Sequence, residues 1–204
     1  MSERGSTRRQ FLARTAAAAA GFGSILGLLR AVAPAHVPPD IVRRGLIRPP
    51  GALEENDFLA RCLRCEVCAQ VCETGAIRLA PSSAGVAAAT PYLVCEEAAC
   101  DLCLKCGQAC PSGALARIED PAQVRMGTAV VDKRLCVSHN GTGVCGACHT
   151  ICPLKGTAIT QGFRNAPKID ERLCVGCGLC EEACIVDDPI GGRAIRVRSA
   201  RAWA

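Results

Sequence analysis

Sixteen of the 17 cysteines fall into four runs, and that register constrains the fold more than any other feature. Cys100, Cys103, Cys106 and Cys110, followed by Pro111, are spaced C-x2-C-x2-C-x3-C-P, which is the ligand spacing of bacterial iron–sulfur sites. Three cysteines at two-residue intervals close a loop tight enough to put three thiolates on three corners of one cubane. The fourth faces away and serves the neighbouring cluster, so such runs work in pairs. Structural zinc sites use separated C-x2-C pairs that close one tetrahedron. A third cysteine at the same short interval is surplus to zinc and necessary to a cubane.

The other runs are edited copies. Cys62, Cys65, Cys68 and Cys72 keep the spacing but have Glu73 where proline usually follows, and Cys174, Cys177, Cys180 and Cys184 have Ile185 there. Cys136, Cys145, Cys148 and Cys152 stretch the first interval across residues 137–144 and keep Pro153. The runs begin at nearly even intervals, the mark of one repeated supersecondary unit. Each is followed by a small apolar pair: Ala76-Ile77, Ala114-Leu115, Ala158-Ile159 and Ala194-Ile195. Sixteen thiols in four-ligand sets predict four 4Fe–4S clusters.

Tyr92 to Val94, Thr128 to Val131, Lys168 to Asp170 and Ala194 to Val197 are β-prone, and short helical turns are expected before the fourth cysteines. Two runs with these strands make one module, so the expected fold is α+β with two ferredoxin-like modules, each around two clusters. Gly107, Gly146, Gly176 and Gly178 allow the loops to bend closely around inorganic sulfur. Equal spacing leaves the pairing open between tandem (first run with second, third with fourth) and nested (first with fourth). Tandem pairing has the shorter connections. Aromatics are only 3% of the chain, and modules of about 80 residues so poor in large side chains have little apolar area to bury. The clusters then act as core, and the apoprotein is not expected to fold.

The first 35 residues belong to a different argument. Arg8 and Arg9 within Ser6 to Leu12 form a twin-arginine signature, followed by a weakly apolar Ala/Gly run and the small-residue cleavage candidate Ala33-Pro34-Ala35. The run is shorter than the ~20 residues needed to span a bilayer. An export signal over 1–35 is expected, either cleaved or kept as a tether to the membrane surface. Seventeen cysteines in an exported protein ordinarily suggest disulfides. The twin-arginine route carries proteins folded with cofactors already inserted, and the expected location is the periplasm. Residues 36–57, with Pro38-Pro39 and Pro49-Pro50, read as a linker or a strap lying along the domain. Modules 58–125 and 126–204 follow.

The chain resembles the MauM/NapG family of ferredoxin-type proteins in Arg48-Pro49-Pro50-Gly51-Ala52-Leu53, Thr90 to Val94, Cys110 to Leu115 and the stretched third run, together with the leader. The departures are Glu73, Ile185 and an extra cysteine, Cys95. The resemblance implies an electron-transfer polyferredoxin that takes electrons from a membrane-bound quinol-oxidising iron–sulfur protein. Its acceptor would be a periplasmic oxidoreductase, nitrate reductase in one branch. In the other branch it implies a maturation or electron-delivery factor for a methylamine-dehydrogenase-type enzyme.

Other functions find little support. The net charge of +5 resides largely in Arg4, Arg8, Arg9, Arg14 and Arg30 of the leader, and four clusters with their thiolates would make the rest acidic, so no nucleic-acid footprint remains. There is no dinucleotide fingerprint, phosphate loop or Ser-His-Asp constellation, and an electron carrier without a substrate-converting site is expected. Cys95 is read as a partly buried thiol outside the ligand sets, and His139 and His149 as solvent-facing or supporting groups. Glu66 and Glu73 would lower the potential of the first cluster. Arg193, Arg196, Arg198 and Arg201 read as a solvated strand end or a docking tail.

Overall fold

The computed structural model describes residues 46–189 and 192–201. These belong to one compact unit, 37–204. The export signal, its cleavage site and the first part of the 36–57 segment lie outside the described residues.

The first half opens with an extended segment from Leu46, then α1 (Glu55–Arg61) and the one-turn helix α2 (Val67–Gln70). The strands β1 (Ile77–Leu79) and β2 (Pro91–Leu93) pair antiparallel, Ile77 opposite Leu93, across a 3-10 connection at Ser82–Ala87. Helix α3 (Lys105–Ala109) then leads into Cys110.

The second half repeats the plan. It runs β3 (Gly127–Val131), α4 (Val137–Asn140), α5 (Ala147–Ile151), β4 (Ile159–Gln161), β5 (Pro167–Ile169) and α6 (Leu179–Glu182). The short strands β6 (Asp187–Asp188) and β7 (Gly192–Arg193) precede β8 (Ile195–Ser199). Here β4 pairs with β5, and β3 with β8, all antiparallel. Small two-stranded sheets with one-turn helices make a mixed α+β fold. Each half is wound round its cysteine runs, because strands of two to five residues could not stand alone in water.

The apolar pairs after the runs explain the repeat. Ala76, Ile77, Ala114, Leu115, Ala158, Ile159, Ala194 and Ile195 are all buried. Each alanine passes the chain close beneath a cysteine loop, and the larger residue fills the core next to it. Ile47, Leu93, Leu102, Leu104 and Val124 from the first half and Val175, Ile195 and Val197 from the second share one core, so the halves are packed as one body. The stretch in the third run is taken up by α4 and a turn. Ser138 Oγ accepts from the Cys145 amide at 2.9 Å, and a ring nitrogen of His139 meets the Pro167 carbonyl at 3.0 Å.

Candidate iron–sulfur sites

The cysteines gather into four sets, each round one hollow. Set 1 is Cys62, Cys65, Cys68 and Cys110. Set 2 is Cys72, Cys100, Cys103 and Cys106. Set 3 is Cys152, Cys174, Cys177 and Cys180, and set 4 is Cys136, Cys145, Cys148 and Cys184. The pairing is therefore tandem, and each run gives its fourth cysteine to its partner's set. Each hollow is lined by four cysteines together with one of the small apolar pairs, Ala114-Leu115, Ala76-Ile77, Ala158-Ile159 and Ala194-Ile195 in that order, so one kind of occupant suits all four. None of the cysteines is in a disulfide.

Two observations test whether a cluster fits. Among the described residues no three His, Cys, Asp or Glu side chains converge closely enough to hold a single metal ion. Four thiols line each hollow, the ligand count of one 4Fe–4S cluster. Burial pushes the Cys68 and Cys100 thiols up to about 12, and those of Cys106, Cys148 and Cys177 up to about 11. Desolvated thiolates crowded together are costly unless a metal supplies the compensating positive charge. At Cys110 burial also pulls upward, but the Leu115, Ser112 and Gly113 amides and the Ser112 hydroxyl outweigh it and lower the thiol. The residues fit 4Fe–4S clusters.

The loops carry a repeated backbone signature. The residues on either side of the second cysteine have positive φ in three runs: Arg64 and Glu66 (55° and 63°), Leu102 and Leu104 (62° and 61°), and Gly176 and Gly178 (73° and 87°). This left-handed alternation curls the chain round the hollow. Glycine was the expected carrier, yet only the fourth run uses it. Gly107 is there for another reason, since a Cβ on it would lie 2.6 Å from the Ala116 carbonyl oxygen. Four non-glycine residues held left-handed cost about 1–2 kcal/mol each, and strain of that kind persists where the surroundings over-determine it.

Neighbouring sets adjoin in a definite order. Cys106 is a charge neighbour of Cys68, Cys177 of Cys100, and Cys148 of Cys180. The sets thus stand in the order 1, 2, 3, 4.

Comparison with known proteins agrees with this chemistry. Residues 61–114 match the 4Fe-4S dicluster domain family, and residues 167–187 match the 4Fe-4S binding domain family. The ferredoxin-type protein NapG of Escherichia coli is 38% identical over 199 residues, 89% of this chain and 83% of its own. The methylamine utilization ferredoxin-type protein MauM of Paracoccus denitrificans is 37% identical over 206 residues, covering 94% and 87%, and that of Methylorubrum extorquens is 36% identical over 162 residues, covering 74% and 71%. The chain belongs to the NapG/MauM family of ferredoxin-type proteins. It is an iron–sulfur electron-transfer protein, and its ferredoxin-type relatives point to a carrier working with redox partners rather than to an enzyme.

Several side chains of this NapG/MauM-family member are placed otherwise than the sequence suggested. Cys95 is not partly but fully buried, 1% exposed, and lines none of the four hollows. His139 and His149, by contrast, stand as read: both are half-buried and line none of the hollows, and His139 supports the stretched loop through the Pro167 carbonyl. Glu73 pairs with Lys105, so much of its charge is offset beside the clusters it was expected to bias. Two of the four tail arginines are engaged: Arg193 Nη1 donates to the Cys184 carbonyl, and Arg201 meets Glu55 and the Ala52 carbonyl, while Arg198 is exposed on β8. Sequence reasoning missed Arg48, which is 1% exposed and donates to Glu55, Thr90 and the Pro91 carbonyl. Its one signal was an arginine among prolines, which gives no hint of a buried partner forty residues on.

Proposed function

We propose that this chain is a four-cluster electron carrier of the periplasm, with the sixteen cysteines of the four sets as iron ligands. The observation that supports it is the succession of four adjoining thiol-lined hollows: sites that adjoin in order can take an electron in at one set and pass it out at another. Each half forms one two-cluster module. Residues 1–35 serve as a twin-arginine signal, so the protein crosses the membrane folded and loaded, and 36–57 strap the signal to the domain.

A 4Fe–4S cluster, when bound, takes up and releases one electron at a time. The chain's own groups hold the thiolates and shield them. The Leu102 amide donates to Cys100 Sγ at 3.4 Å, Leu115 to Cys110 Sγ at 3.5 Å and Ala129 to Cys174 Sγ at 3.4 Å. Amide dipoles aimed at sulfur stabilise added negative charge and ease reduction. The donor in this reading is a membrane-bound quinol-oxidising iron–sulfur protein, and the acceptor is a periplasmic reductase system such as nitrate reductase. The relatives named for methylamine utilization favour a second reading, delivery of electrons to, or maturation of, a methylamine-dehydrogenase-type enzyme.

Protein purified without air should hold about 16 iron and 16 acid-labile sulfide per chain, and membranes of its own cells should reduce it. Stoichiometric zinc without sulfide would overturn the cluster assignment. A holoprotein that no membrane fraction reduces would leave the maturation reading instead. A deletion strain assayed for nitrate reduction and methylamine oxidation separates the two acceptors. Replacing Arg8 and Arg9 by lysine should strand the loaded protein in the cytoplasm.

A further inference from the structure

Between sets 2 and 3 the two halves meet, and the contact is made by ligand residues themselves. The Cys100 amide donates to the Cys177 carbonyl at 2.9 Å. From Cys100 Sγ to Cys177 Sγ the path follows Cβ, Cα and N–H, crosses this one hydrogen bond, and continues through the carbonyl, Cα and Cβ. Around it the Ala99 amide points at Glu182 Oε2, 3.4 Å away.

Cys95 is packed on the same spot. It is 1% exposed, and a Cβ built on Gly178 would lie 2.5 Å from both Cys95 Cβ and Cys95 Sγ. Gly178 follows Cys177 directly and has a φ of 87°. The Cys95 side chain therefore rests on the bare backbone of the loop that presents the Cys177 carbonyl, where no other residue than glycine fits beneath it.

We infer that the Cys100–Cys177 hydrogen bond is the electron crossing between the two halves, and that Cys95 is the residue that positions it. This rests on the reading that the four sets hold clusters. One electron crosses at a time: the donor side is oxidised by one, the acceptor side is reduced by one, no bond is made or broken and no proton moves. The reductant is the upstream redox protein in the cell, or dithionite in the test. Because tunnelling falls steeply with separation, a wedge that lifts the Gly178 loop should slow the crossing and leave the steps within each half intact.

The test uses full-length holoprotein reduced with dithionite and examined by electron paramagnetic resonance. A double variant Cys65→Ala, Cys145→Ala removes one ligand from each end set and leaves sets 2 and 3 complete. Its two remaining clusters should still show spin–spin interaction; two magnetically isolated clusters would overturn the crossing. Cys95→Leu should keep its iron but weaken the inter-half interaction in that background, while Cys95→Ser leaves it unchanged. Should the leucine variant lose iron, Cys95→Val is the smaller wedge and is read the same way. Full interaction in a wedge variant that retains iron would overturn the positioning role. Absence of iron and sulfide from the unmutated protein would instead strike the underlying cluster reading.

Discussion

In the second half β3 and β8 pair over Gly127–Val131 and Ile195–Ser199. In the first half the same place is held by one bridge, Ala52 to Leu115. The equivalence is visible in the bonds beside it: the Leu53 amide donates to the Ala114 carbonyl as the Asp132 amide donates to that of Ala194. Pro49 and Pro50 have no N–H to give, so no ladder can extend there. Side chains close the first half instead. Arg48 lies buried under β2, donating to Thr90 Oγ1 and the Pro91 carbonyl at 2.8 Å each, pairing with Glu55 and stacking 4.6 Å over the Phe58 ring. Arg201 and Ser199, at the far end of the chain, complete it by reaching Ala52, Glu55 and the Leu46 carbonyl. A backbone ladder closes the second half from within, whereas the first is closed by charged side chains and by its partner.

The largest expected effect comes from Gly176→Ala. A Cβ there would lie 2.4 Å from the Gly127 amide nitrogen and 2.5 Å from its oxygen, so β3 or the cysteine loop must yield. Left-handed strain and overpacking together cost about 3 kcal/mol or more, and iron analysis should show set 3 lost. Arg64→Ala, at the equivalent place in the first run, should retain all its iron. Equal losses would mean that the two loops are not built alike.

Next in size is Arg48→Met, which leaves Thr90 Oγ1 and the Pro91 carbonyl without this donor and Glu55 with Arg201 alone, 3.5 Å away. Leaving buried acceptors unsatisfied costs about 1–3 kcal/mol. Hydrogen exchange should quicken in β1 and β2 well before β3 and β8; uniform quickening would dissolve the contrast between ladder and side-chain closure. Arg201→Met removes a more accessible partner, 3.5 Å from Glu55. About 1 kcal/mol is expected, read as a lower unfolding midpoint in the holoprotein, again with exchange quickening on the first-half side.

The smallest effect is a gain. Glu66 is exposed and left-handed, so Glu66→Gly relieves about 1–2 kcal/mol of strain against the entropy that glycine adds to the unfolded chain. A net rise of at most about 1 kcal/mol in holoprotein stability is expected, and a clear loss would show that the Glu66 side chain has a role of its own.

The cysteine register, the buried pairs from Ala76-Ile77 to Ala194-Ile195 and strands β2, β3, β5 and β8 were legible because they depend on local spacing and repetition. The pairing of runs was not, since equal intervals fit tandem and nested arrangements alike. Nor were the left-handed positions. Gly176 and Gly178 announce themselves, but Arg64 turns outward to donate to the Val86 and Ala88 carbonyls and Leu102 and Leu104 enter the core. The same φ was filled by whichever side chain its surroundings could use. Glycine persists only where the Gly127 backbone or Cys95 presses on the loop. The partnership of Arg48, Glu55 and Arg201 joins residues more than 150 positions apart, and no periodicity encodes such a contact.

The exchange of fourth cysteines bears on the order in which the protein can be made. With the sets as proposed, Cys62, Cys65 and Cys68 await Cys110, while Cys72 waits for the whole second triplet. Cys136, Cys145 and Cys148 remain three-cornered until Cys184 has left the ribosome. No site can be finished on a short nascent segment, and within each half neither can be finished without most of the other. A truncated chain would therefore carry its defect as an incomplete site from the moment of its synthesis.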